Sequence, residues 1–161
     1  MSLWQRLFPT KRPEKKAPAA PAVRPTPPPS PRAKAAMIEW RPGSYPTDIV
    51  GESNYQDALL NIAGGHNRAG HEIECQAELR PEPNNPYDSN AVAVFIDGRK
   101  VGYLGRDVAA DYLTRLAETG AAGATVRCNA KIVGGWRTNQ HDSGHFGVRL
   151  GLPRRGALTL S

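Results

Sequence analysis

The sequence has few of the residues from which catalytic sites and metal centres are usually built. It contains 2 cysteines and 4 histidines in 161 residues, and it has no Gly-rich phosphate loop ending in Lys-Ser or Lys-Thr. No Ser, His and Asp pattern typical of nucleophilic catalysis is present. His141 and His145 lie close together, but no second group of ligands at a known spacing accompanies them. We therefore expect no catalysis, no cofactor and no bound metal.

Long apolar runs are also absent. No segment approaches the roughly 18 consecutive apolar residues that predict a transmembrane helix. Apolar residues at helical spacing within residues 3–8 form too short a run for a signal peptide, although docking to a membrane surface or a protein partner stays open. Cys75 and Cys128 fall on inward positions of predicted strands. Without a secretory signal, they indicate reduced thiols and a cytoplasmic protein.

Negative charge is scarce in the first 36 residues. They hold 9 of the 15 prolines and eight Lys or Arg against a single acid, Glu14, which gives a net charge of +7. The other residues hold thirteen Lys or Arg against fourteen acids, a net charge of −1. A basic, proline-rich segment with few apolar residues cannot bury enough surface to offset its conformational entropy. The sequence therefore predicts a disordered basic tail over residues 1–36.

Alternating apolar residues predict β-strands over much of the remaining chain. The predicted strands cover residues 47–51, 72–80, 91–96, 100–104, 125–133 and 145–152. Helical spacing predicts helices over 56–63 and 106–118, and Asp97-Gly98 predicts a two-residue hairpin turn. Six short strands and two helices without βαβ alternation favour a mainly β fold, a small closed or nearly closed barrel. The domain would span 47–152, with a connecting segment (37–46) before it and a C-terminal tail (153–161) after it.

The segment Asn84–Asn90, between the second and third predicted strands, is unusual for a hairpin connection. Counted from Pro81, the link is about twice as long as an ordinary hairpin loop, and it holds three prolines and three asparagines. Asn and Asp side chains hydrogen-bond nearby backbone groups, so we expect a stiff loop. Tyr87 and Asp88 place an aromatic ring beside a carboxylate, which suits a small planar polar ligand. Alternatively, Tyr87 packs on the barrel rim and Asp88 caps the turn.

Three stretches of the chain together resemble the HIRAN domain family. They are Val-Gly-Glu-Ser-Asn-Tyr at 50–55, Glu-Pro-Asn-Asn-Pro-Tyr-Asp-Ser-Asn-Ala-Val-Ala-Val at 82–94 and Val-Gly-Tyr-Leu at 101–104. The resemblance spans about residues 47–152. It implies a six-stranded, oligonucleotide-binding-like (OB-like) β-barrel that binds single-stranded DNA, in the best-understood members at a free 3′-hydroxyl end, and hence a connection with DNA repair.

The resemblance also implies which residues contact the nucleic acid. Tyr87 would stack on the terminal nucleoside, and Asp88 would accept a hydrogen bond from its 3′-hydroxyl. Arg106 falls where the family has a cation for the phosphate. It also opens the longer predicted helix, whose unpaired N–H groups favour an anion. Phe146 falls where a second aromatic ring meets a base.

Other positions of the chain depart from the family pattern. Ser53 and Asn54 stand where DNA-binding members have a basic and an aromatic side chain, although Tyr55 is retained one position later. Tyr103 replaces a histidine. The sequence thus predicts a nucleic-acid-binding module, with single-stranded DNA as its ligand and RNA as a second candidate. The alternative is a protein-interaction module that its N-terminal segment tethers to a partner or a membrane.

Overall fold

Eight strands and two helices follow one another along residues 35–161, the part of the chain that the structure, a computed structural model, describes. The predicted disordered tail lies outside this part, except for Ala35 and Ala36. The strands are β1 (Thr47–Val50), β2 (His71–Pro81), β3 (Val92–Ile96), β4 (Arg99–Leu104), β5 (Val126–Gly134), β6 (Arg137–Asn139), β7 (Asp142–Ser143) and β8 (Phe146–Leu150). The helices are α1 (Gln56–Ala63) and α2 (Arg106–Glu118), and a short 3-10 helix, Glu52–Asn54, precedes α1.

Six of the strands close into a barrel in the order β1-β4-β3-β2-β5-β8, and their pairings are antiparallel. This confirms the predicted mainly β fold with a six-stranded barrel and two helices. The longest pair is β2 with β5, which runs from His71 opposite Gly134 to Leu79 opposite Val126. Because the barrel is closed, each of its six strands pairs with a neighbouring strand on either side.

The core of the barrel is formed by the inward residues of the strands and one face of α2. In β5, burial alternates strictly from Val126 to Ile132, as the sequence pattern predicts. Helix α2 contributes Tyr112 and Leu116, both fully buried. Each large apolar side chain that is fully buried stabilises a fold by about 1.5–3 kcal/mol relative to an exposed one. Burial of the inward faces of the strands therefore contributes strongly to stability, and the alternation leaves the other face of each strand nearer the surface.

Two segments outside the barrel strands also contact the core. Ile38 is 1% exposed and Leu158 is 6% exposed. Arg115 of α2 donates a hydrogen bond to the carbonyl of residue 153 at 2.7 Å. Residues 37–46 and 153–161, which the sequence places outside the domain, thus contribute side chains to its core. They pair through isolated bridges, so no periodic pattern marks them in the sequence.

Both cysteines are free thiols within the barrel wall. Cys128 is buried and Cys75 is partly buried. Burial raises the pKa of Cys75 to about 11 and that of Cys128 to about 12. Both thiols are therefore protonated near neutral pH and serve as small residues of the core.

The polar loop predicted over residues 137–144 contains a small hairpin, in which β6 pairs with β7. Within residues 35–161, no helix is long and apolar enough to cross a membrane.

Candidate functional site

The loop between β2 and β3 is held by its own side chains. Asn85 Oδ1 accepts hydrogen bonds from the backbone N–H groups of Tyr87 at 2.9 Å and Asp88 at 3.3 Å. Asp88 Oδ1 accepts one from the backbone N–H of Asn90 at 2.9 Å. In this conformation Tyr87 is 88% exposed, whereas the Asp88 side chain is 25% exposed. The Asn-rich loop therefore turns the aromatic ring outward and keeps the carboxylate close to the barrel.

A pocket of about 380 Å³ opens beside this loop. Its walls come from the loop, the ends of β1 and β4, the start of α1 and the first turn of α2. The lining residues are Val50, Tyr55, Asn85, Tyr87, Asp88, Ala91, Tyr103, Leu104 and Arg106. Five of the six residues that the resemblance implies are therefore brought together, although they come from four separate parts of the chain.

Opposite charges meet at the edge of the pocket. Arg106 Nε lies 4.0 Å from Asp88 Oδ2, the outer limit of an ion pair, and the Arg106 side chain is 81% exposed. Arg106 is the first residue of α2, where unpaired backbone N–H groups favour an anion. Asp107, in the same turn, opposes this effect. Because Oδ1 caps the loop and Oδ2 is only loosely paired, Asp88 retains an oxygen that can accept a hydrogen bond from a ligand.

Tyr103 is fixed in the pocket wall by an ion pair behind it. Lys100 Nζ lies 2.6 Å from Glu82 Oε1 and 2.8 Å from the Tyr103 hydroxyl, which donates to Glu82 Oε2 at 3.2 Å. Burial alone would raise the pKa of Glu82, but hydrogen bonds from Lys100 and Asn85 hold that pKa below its usual value. Sequence reasoning does not single out Glu82 or Lys100, since only barrel pairing brings them together across 18 positions.

Tyr55 also lines the pocket, and it lies between the 3-10 helix and α1. Gly51 starts this segment with a φ of 82°, a conformation that glycine adopts without strain. Tyr55 is the N-cap of α1, and its carbonyl accepts a hydrogen bond from the N–H of Leu59 at 3.1 Å. Burial, together with the neighbouring Tyr103, raises the pKa of Tyr55 above its ordinary value. Tyr55 is therefore a neutral phenol that supplies ring surface to the pocket.

Phe146 lies apart from the pocket. It is 3% exposed, and its ring stacks against His66 and His71 at centroid distances of 5.3 and 5.7 Å. The ring also packs so closely against Gly135 that a Cβ at that position would overlap it. A ring enclosed in this way has no free face for a base. The base contact expected at Phe146 therefore has no counterpart in this structure, because His66, His71 and the backbone at Gly135 cover the ring.

The two histidines considered as metal ligands lie at the β6–β7 hairpin. His141 and His145 are both exposed, and the backbone N–H of His141 donates to Asn139 Oδ1 at 2.8 Å. Across residues 35–161, no three His, Cys, Asp or Glu side chains are grouped closely enough to hold a metal ion.

Fold and pocket together define a small antiparallel β-barrel with an aromatic-lined pocket beside one loop. The family model of the HIRAN domain matches residues 51–141, which is more than half of the chain. The chain belongs to the HIRAN domain family, as its motifs predict. This is a family of binding domains, and membership supports a nucleic-acid-binding module.

Comparison with solved structures gives a weaker likeness. The chain is similar to the crystal structure of the HIRAN domain of human HLTF, with 19% sequence identity. The match covers 50% of this chain and 74% of that chain, at a TM-score of 0.26. No curated protein matches the chain significantly.

Proposed function

We propose that the pocket binds the end of a single-stranded nucleic acid. The preferred ligand is DNA with a free 3′-hydroxyl, and RNA is the second candidate. One observation carries the proposal: a single pocket unites the exposed ring of Tyr87, the loosely paired carboxylate of Asp88 and the exposed guanidinium of Arg106. A terminal nucleotide offers a matching set of groups, namely a flat base, a sugar hydroxyl and a phosphate.

Tyr87 supplies the stacking surface. Because 88% of the residue is exposed on a loop held by Asn85, its ring is available to a base without rearrangement of the backbone. Stacking of a base on an aromatic ring contributes about 1–3 kcal/mol and tolerates any base. Tyr55 and Tyr103 add ring surface to the same pocket. The pocket is therefore suited to an end of any sequence.

Asp88 and Arg106 give the pocket its preference among ends. The Asp88 carboxylate is an acceptor, so it recognises a hydroxyl that donates a hydrogen bond. A terminal phosphate brings about 1.5–2 negative charges at neutral pH and would be repelled by the same carboxylate. We assign Arg106, whose Nε lies 4.0 Å from Asp88 Oδ2, to the phosphate that joins the terminal nucleotide to the next one.

Separate substitution of the loop residues tests this assignment. Affinities of the full chain and its variants are measured for two oligonucleotides that differ only in a 3′-hydroxyl or a 3′-phosphate. Tyr87→Ala should weaken the binding of both by about the 1–3 kcal/mol of one stacked base. Asp88→Ala should weaken mainly the binding of the hydroxyl end, and binding of the phosphate end should be unchanged or slightly improved.

Trp136→Ala provides a control, since Trp136 is an exposed aromatic residue that does not line the pocket. It should leave both affinities near those of the wild type. Equal losses for the two ends in the Tyr87 and Asp88 variants, in proportion to a lower melting temperature, would show that the loop is only scaffold.

A further inference from the structure

Glu82 touches two walls of the pocket without lining it. Its Oε2 accepts a hydrogen bond from Asn85 Nδ2 at 3.1 Å and one from the Tyr103 hydroxyl at 3.2 Å. Its Oε1 accepts one from Lys100 Nζ at 2.6 Å. Asn85 and Tyr103 both line the pocket, whereas Glu82 and Lys100 lie behind them. One carboxylate thus joins the loop wall to the β4 wall.

The contact with Asn85 determines which way its amide points. A carboxylate only accepts hydrogen bonds, so Glu82 takes the NH₂ side of the Asn85 amide. The carbonyl oxygen of the same amide then points at the backbone N–H groups of Tyr87 and Asp88. It accepts a hydrogen bond from each of them, at 2.9 and 3.3 Å. With the amide reversed, an NH₂ group would face two N–H donors, and the loop would lose both bonds.

We propose that Glu82 is a positioning residue for the pocket, which sets the Tyr87–Asp88 loop through Asn85 and the ring of Tyr103 directly. This inference rests on the proposed function, since the loop and ring that Glu82 positions are the nucleic-acid contacts assigned above. Lys100 completes the arrangement, because its ammonium group pairs with the oxygen of Glu82 that the two pocket residues leave free. Glu82 itself makes no contact with the ligand.

Glu78, which lies in β2 four residues before Glu82, offers a closely matched control. Its side chain is 28% exposed, against 29% for Glu82, and each carboxylate pairs with a cation at 2.6 Å. Glu78 pairs with Arg80 and Arg127, and neither of these lines the pocket. Loss of either carboxylate should therefore have a similar effect on stability, and only loss of Glu82 should disturb the pocket.

The experiment compares Glu82→Ala, Glu82→Gln and Glu78→Ala in the full chain. Affinity is measured for the 3′-hydroxyl and 3′-phosphate oligonucleotides, together with the melting temperature. Both alanine variants should melt at similarly reduced temperatures, but only Glu82→Ala should weaken binding of the hydroxyl end, by about ten-fold for two lost hydrogen bonds. It should also reduce the preference for hydroxyl over phosphate, because Asp88 moves with the loop.

Glu82→Gln separates positioning from charge. The glutamine side chain keeps one carbonyl oxygen that can accept a hydrogen bond from Asn85. The affinity of the Glu82→Gln variant for the hydroxyl end should therefore lie between those of the wild type and Glu82→Ala. If Glu82→Ala binds the hydroxyl end as tightly as Glu78→Ala does, while both variants have lowered melting temperatures, Glu82 only stabilises the fold and the inference is wrong.

Hydrogen exchange distinguishes failure of this inference from failure of the proposed function. The backbone N–H groups of Tyr87 and Asp88 should exchange faster in Glu82→Ala than in Glu78→Ala, without any ligand. If exchange accelerates but the wild type binds no oligonucleotide, Glu82 positions the loop and the assigned ligand is wrong. If exchange is the same in the two variants, Glu82 does not position the loop, whatever the pocket binds.

Discussion

Tyr87 and Phe146 are both aromatic, but one ring is exposed and the other is buried. Tyr87 is 88% exposed on a loop beside the pocket, whereas Phe146 is 3% exposed against His66 and His71. The contribution of Tyr87 is therefore expected in binding and that of Phe146 in stability. At the scale of single residues, exposure of the ring decides which aromatic side chain can serve a ligand.

Substitution of Phe146 should confirm this division. Phe146→Ala should lower the free energy of unfolding by about 3–5 kcal/mol, the usual loss for a buried aromatic ring. Phe146→Leu retains much of the apolar volume and should fold well enough for binding measurements, with the oligonucleotide affinity of the wild type. If the Phe146→Leu protein has the melting temperature of the wild type but binds nucleic acid poorly, Phe146 is instead part of the binding site.

At the scale of elements, the pocket depends on how closely β1 approaches β4. A Cβ at Gly102 of β4 would lie 2.7 Å from the carbonyl oxygen of Val50 and 2.8 Å from Cδ1 of Ile49. Only glycine allows this approach, which explains the glycine in the Val-Gly-Tyr-Leu stretch. Val50 is opposite Tyr103 in the β1–β4 pair, and both line the pocket. The packing of these two strands therefore sets the width of the pocket.

Gly102→Ala should separate the two strands. We expect a loss of about 1–3 kcal/mol in the free energy of unfolding, typical of overpacking, together with weaker oligonucleotide binding. Gly147→Ala in β8 is the control, because a Cβ there would meet Val133 Cγ2 at 3.5 Å, an ordinary contact. Thermal unfolding and affinity measurements check both variants. Equal effects of the two substitutions would show that the β1–β4 approach is not critical.

At the scale of the whole molecule, positive charge is divided unequally. Residues 1–34 carry all eight Lys and Arg of the N-terminal segment and Glu14, a net charge of +7, and the remaining residues carry −1. Within the pocket, Arg106 faces Asp88, so the folded part offers little net attraction for phosphates. We therefore propose that the N-terminal segment supplies most of the non-specific electrostatic attraction to nucleic acid.

Deletion of residues 1–34 leaves the described part of the chain intact and tests this division. Affinity for the 3′-hydroxyl oligonucleotide should fall, and its dependence on salt concentration should become flatter, because fewer counterions are released on binding. The ratio of affinities for hydroxyl and phosphate ends should persist, since the pocket is unchanged. The proposal fails if the affinity and its salt dependence are both unchanged by the deletion.

The sequence by itself determined the elements and much of the pocket. Helices α1 and α2 occupy the predicted residues, and the barrel strands differ from the prediction only at their ends. Asp97 and Gly98 form the predicted turn, with φ angles of 49° and 74°. These features follow from local periodicity and from the backbone preferences of single residues. The pocket residues could be predicted from the family motifs, because these motifs include the loop residues Tyr87 and Asp88, and the family has a cation at the position of Arg106.

Only the tertiary structure decided the position of Phe146, the role of Glu82 and the packing of the terminal segments. Each depends on partners far away in the sequence. Phe146 stacks against His66 and His71, Glu82 pairs with Lys100 from 18 positions away, and Ile38 meets Leu160 of the C-terminal segment. These residues become neighbours only when the barrel closes. The local sequence pattern does not predict such contacts, because alternation specifies which face of a strand is buried but not which residues cover it.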